Sequence, residues 1–181
     1  MTPMQFDVRA DISQAVQFLN DLQRQIIPAA TARALDRTAT NARTEAIKTI
    51  REETGLPTTL IRDRLQIRGA TRDRLVATIT ALKAAPNLAR FQARQTKQGV
   101  SANAWRKRRV YPKTFLGNAG RTVFKRIGKA RLPIAPVYGP SVPRTFLQKR
   151  AQQAIERAVE SRFQHNFEDA IAGQLARRGL R

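Results

Sequence analysis

The sequence has no cysteine and a single histidine, His165, among its 181 residues. These absences exclude a disulfide framework, a thiol nucleophile, a thiolate zinc site and the multi-histidine sites of catalytic zinc. Serine–histidine chemistry would have to run through His165 alone. Aromatics are scarce at 6%, against 41% hydrophobic residues, so the core must be built from Leu, Ile, Val and Ala, as in helix-rich proteins. No run approaches the roughly 20 apolar residues needed to span a bilayer. The opening MTPMQFDVRADI carries early acids and no apolar centre, and so does not read as a signal peptide. A soluble chain made in a reducing cytoplasm is expected, folded as one domain over residues 1–181.

Acids are also scarce. Lys plus Arg number 34 and Asp plus Glu 13, a net charge of +21. The deficit is local, because no acid stands between Asp73 and Glu156. Residues 74–155 hold 18 basic residues and no acid, whereas residues 1–73 carry 11 bases and 9 acids, and residues 156–181 carry 5 and 4. Such a middle cannot neutralise itself through local ion pairs. Either the flanks or an anionic partner must do so.

The hydrophobic pattern predicts an α+β fold, with two long helices flanking a small, mostly antiparallel sheet that carries a long basic loop. Ile12, Val16, Leu19, Leu22 and Ile26 recur at helical spacing, and Leu35, Ala39, Ala42, Ala46, Ile47 and Ile50 continue the stripe. A helix is therefore expected over 11–53, capped by Asp11 or Ser13, kinked near Pro28 and ended by Gly55 and Pro57. Residues 60–132 carry strand patterns at Leu65–Arg68, Leu75–Leu82, Asn87–Phe91 and Thr122–Ile127. The segment 92–121 between the last two reads as an extended loop or mobile hairpin. A Pro/Gly connector over 133–142 leads, with Ser141 as N-cap, into a second helix over 143–178.

The sharpest local feature is Arg106, Lys107, Arg108 and Arg109, flanked by Trp105 and Tyr111 and followed by Lys113. Cations interleaved with aromatics can hold phosphates while a ring stacks on a base. The same run also suits a solvated loop or one docked on an acidic protein surface, and protein docking is slightly favoured. No helix-turn-helix, zinc-finger or RNA-recognition signature accompanies it. Asp36, Glu45 with Lys48, Glu52 with Glu53, and Asp63 read as exposed helical charges rather than a metal site, and no cofactor is expected. Gly120–Lys129 has the wrong glycine spacing for a phosphate loop. His165 reads as a surface partner of Asp169 one turn on. Phe146, Phe163 and Phe167 read as core or subunit interface.

Several short motifs occur in a fixed order: Ala32–Ala39, Thr54–Leu56, Leu88–Phe91, Gly99–Val100, Val123–Arg126 and Tyr138–Val142. In these, over about residues 15–165, the sequence resembles the bacteriophage minor tail protein Z family. The resemblance implies a non-enzymatic virion protein of the tail or neck, made in the host cytoplasm. It implies a ring of identical subunits, a hexamer, contacting the tail terminator or head connector, with genomic DNA in its lumen and no membrane association. It carries over no catalytic or DNA-contact residue. The alternative is a freestanding, sequence-nonspecific nucleic-acid-binding protein, for which the +21 charge is the argument. A nuclease or other hydrolase lacks the residues it would need.

Overall fold

The computed structural model describes residues 13–82 and 85–179. Asp11 and Ile12, expected in the first helix, lie outside them. Helix α1 (Ser13–Asp21) passes through a five-residue π-turn (Leu22–Ile26) into α2 (Ile27–Thr54), without a break. At 1.5 Å per residue the whole rod is roughly 60 Å long. Pro28 lacks the amide that would close a normal α-turn, and it occupies the first turn of α2, where that amide is dispensable. A π-turn, a feature at which helices bend, stands just before the proline, where the kink is expected. Gly55 ends α2 in the left-handed region (φ 73°), its N–H donating to the Arg51 carbonyl at 2.9 Å.

After a one-turn helix α3 (Thr58–Arg62), the chain builds three small sheets, all antiparallel. The first pairs β1 (Leu65–Arg68) with β2 (Thr78–Ala81). The second contains β3 (Arg94–Thr96), β4 (Gly99–Ala104) and β5 (Lys107–Pro112), with β4 central. The third contains β6 (Thr114–Gly117), β7 (Thr122–Arg126) and β8 (Ile134–Pro136), with β7 central. The α+β architecture thus has its two long helices and its small antiparallel β region.

Several local expectations need correction. Residues 92–121 form four strands rather than a loop, the hairpin alternative surviving as β4–β5. Asn87–Phe91 is not a strand. Asn87 is extended and bridges Tyr138, but its side chain accepts the Ala89 N–H at 3.0 Å and turns the chain into a 3₁₀ turn, Leu88–Arg90. The connector over 133–142 contributes strand β8. The second helix is divided: α4 (Val142–Phe146) and α5 (Lys149–Ala176) meet at Gln148, whose ψ of 147° breaks the helical path. Ser141 stands at the N-cap of α4, but its side chain makes no capping bond; its carbonyl accepts from Thr145 instead.

Helices α2 and α5 lie antiparallel. Arg178 reaches Gln25 and Asp21, Asn166 meets Thr38, and Arg150 meets Glu52. Buried positions of α2 are mostly Ala and Thr, opposite Ala151, Ala158 and Ala170 of α5, so the two backbones approach closely. Within this seam the Asn166 amide donates to the Thr38 hydroxyl at 3.0 Å, a buried polar pair that fixes the register. Phe163 and Phe167 stack on each other at 6.0 Å beside Ala30, Ala34 and Ala170. The main core lies at the other end of α2, where Ile47 and Ile50 meet Leu56, Ile61, Leu65, Leu88, Phe91, Val100 and Val123. It joins the end of α2 to the sheets, and Phe146 packs against its margin.

Candidate anion-facing surface

Hairpin β4–β5 turns on Trp105 and Arg106, with Ala104 paired to Lys107. Both turn residues have φ of 55°, as a two-residue hairpin turn requires, yet neither is glycine or asparagine. Left-handed backbone at such residues stores on the order of 1–3 kcal/mol each. Two contacts hold the turn. The Trp105 N–H donates to the Thr54 carbonyl at 3.1 Å, tying the tip to the last turn of α2. The Arg109 guanidinium lies 5.1 Å from the centre of the Trp105 ring and 5.0 Å from that of Tyr111, and its Nε donates to the Tyr111 hydroxyl at 2.9 Å. Arg106 itself sits over the C-terminus of α2. A Cβ on Gly55 would come within 3.3 Å of it, and its positive charge opposes the negative end of the helix dipole.

The pleat divides the basic run. Arg109 and Tyr111 lie opposite Ala102 and Val100, on the core-facing side of the sheet. Arg108 lies opposite Asn103 on the other side, where it donates to the Gln92 carbonyl and side chain and to Ser101. Arg108 and Arg109 are thus engaged by their own chain, whereas Lys107 and Lys113 are exposed, and β5 is a sheet edge.

A second basic surface, absent from the sequence reading, lies on the third sheet. Lys125 and Arg126 end β7, and the exposed turn to β8 carries Lys129 and Arg131. Arg126 rests 5.3 Å from the Phe115 ring centre, and Phe115 pairs with Phe124 at 6.0 Å. Only the lack of acids throughout residues 74–155 pointed to this surface.

The acids lie elsewhere. Glu52 and Glu53 meet Arg150 at 3.0 and 4.0 Å, Asp169 meets Arg37 at 3.6 Å and His165 at 3.7 Å, and Glu45 meets Lys48 at 3.9 Å. Asp36, expected as an exposed helical charge, instead accepts the Ala70 N–H at 2.7 Å and anchors the β1–β2 loop. Of the basic residues in 74–155, Arg150 alone has an ion pair among the described residues. Among the described residues the flanks therefore leave the basic middle almost wholly without ion pairs. Among the described residues no group of three acids or histidines could hold a metal, and no helix is long and apolar enough to cross a membrane.

A scan of protein families matches residues 11–179 to the prophage minor tail protein Z model. The chain belongs to the minor tail protein Z family. Comparison with curated proteins and with solved structures gives no significant match. Membership makes this a structural, non-catalytic tail-completion protein of the phage virion, located in the tail or neck and interacting with other tail and head-joining proteins.

Proposed function

We propose that copies of this minor tail protein Z chain form a ring on the tail axis, at the junction with the head. The basic sheets face the DNA that passes through it, and the tail terminator or head connector abuts the ring. The observation that carries this reading is the unneutralised basic middle, in which Arg150 alone has a carboxylate partner among the described residues. A surface of that kind gains most from a dense polyanion. Phosphate contacts carry no base information, which suits a conduit that must accept any sequence. Arg108 and Arg109 are already occupied, so the contacting groups are Lys107, Lys113, Lys125, Lys129 and Arg131, with Arg106, Trp105 and Tyr111 shaping the hairpin tip.

The test is duplex-DNA affinity of the full chain across a salt series. Each phosphate contact contributes about 0.9 to the slope of log affinity against log salt. Replacing Lys125, Lys129 and Arg131 together by Ala is expected to reduce that slope by roughly three. Binding with an unchanged slope, or no binding at low salt, would remove DNA as the partner of this face.

A further inference from the structure

Charge divides the molecule along its length. The helical end, residues 13–40 with 160–179, holds six basic and five acidic residues, while the sheet end holds the acid-free middle. Copies each carrying +21 repel one another over the roughly 8 Å reach of charge in physiological salt. At least one side of a contact between copies must therefore be poor in cations. From Ala10 to Gln23 the chain has neither Lys nor Arg, and α1 lies within this stretch.

Helix α1 also extends beyond its packing partner. Arg178, just past the end of α5, reaches back only to Asp21 and Gln25. Further toward the N-terminus, Val16, Phe18 and Leu19 are 46%, 40% and 59% exposed, an amphipathic helix with no described helix against it. Toward the sheet end of the helical pair, α2 and α5 leave a groove of about 660 Å³. Its lining includes Ala154, Ala158 and Ser161, and four cations, Arg157 and Arg162 among them, against the two acids Glu45 and Glu52. Small residues leave room for bulky side chains, and a lining with more cations than acids suits a helix that brings no cation.

We propose that α1 of one copy docks in the α2–α5 groove of a second copy. The contact joins two different surfaces, so it is heterologous and generates a ring when the rotation closes. This inference rests on the ring reading above and names the surface that builds it.

The absence of cysteine makes the test direct. Leu19→Cys and Ser161→Cys are made as separate variants and mixed under mild oxidation. Within one chain the two positions lie roughly 30 Å apart along the helices, far beyond the about 7 Å Cα separation that a disulfide tolerates. A covalent dimer exceeding that formed by either variant alone, and absent when Asn118→Cys replaces Ser161→Cys, supports the docking. In parallel, V16K/L19K is expected to weaken self-association at least tenfold by light scattering, with helix content unchanged by circular dichroism. A wild-type chain that assembles but gives no cross-link, or a V16K/L19K chain that assembles like wild type, overturns the α1 seat and leaves the ring standing. A wild-type chain that stays monomeric at every concentration overturns both.

Discussion

The two ends of the molecule are held by different means. The helical hairpin is a small-residue seam, with one buried polar pair and a few exposed ion pairs, and it is close to neutral. The β region hangs from a compact aliphatic core at the end of α2, and its cations from Arg74 to Arg144 have no ion pair among the described residues. The difference shows where each end gets its order. The helices satisfy themselves and carry shape, whereas the sheets are stable as packed units but electrostatically incomplete.

The largest expected effect comes from breaking the link between these ends. Ile50 is fully buried where α2 meets the sheets, and Ile50→Ala is expected to lower stability by about 2–5 kcal/mol in denaturant unfolding. Next is the seam. Ala34→Leu inserts bulk at a fully buried position beside Ala30 and Ala170, with an expected loss of about 1–3 kcal/mol. Asn166→Ala strands the Thr38 hydroxyl at a loss of about 1–3 kcal/mol. Adding Thr38→Val to Asn166→Ala is expected to recover part of that loss, and a strictly additive double mutant would deny that the two act as a pair. At the sheet end, Arg109→Ala removes the cation from between Trp105 and Tyr111, at about 0.5–1 kcal/mol for each exposed ring contact. It should alter stability more than the salt dependence of DNA binding, the reverse of Lys129→Ala. The smallest effect belongs to Lys48→Ala, whose exposed pair with Glu45 is worth well under about 1 kcal/mol by thermal melts.

The long helices were legible because their apolar spacing extends over many turns. Strands β1 and β7 were legible from β-branched alternation. The β4–β5 hairpin was legible only as an alternative to a loop, because its turn is Trp105–Arg106 rather than the Asn-Gly or Asp-Gly pair that marks such turns. Its left-handed backbone is held by contacts made only after folding, to Thr54 and Arg109. Asn87 misled for a related reason: an extended residue before Leu88-Ala-Arg looks like a strand until its side chain caps a turn. The basic run at 106–109 was visible, but its division between two faces depends on register, and the self-engagement of Arg108 and Arg109 depends on neighbours distant in sequence. The absence of acids from residues 74–155 was legible, but whether the flanks supply their carboxylates depends on the fold, which brings only Glu52 and Glu53 to Arg150.

Electron cryomicroscopy of the assembled tail, with this subunit located in the density, shows which face of the subunit meets the DNA path. The account predicts a closed ring at the head-proximal end of the tail, with the three sheets lining the lumen and helical hairpins touching from one subunit to the next. A ring whose sheets point outward, away from the DNA path, would contradict it.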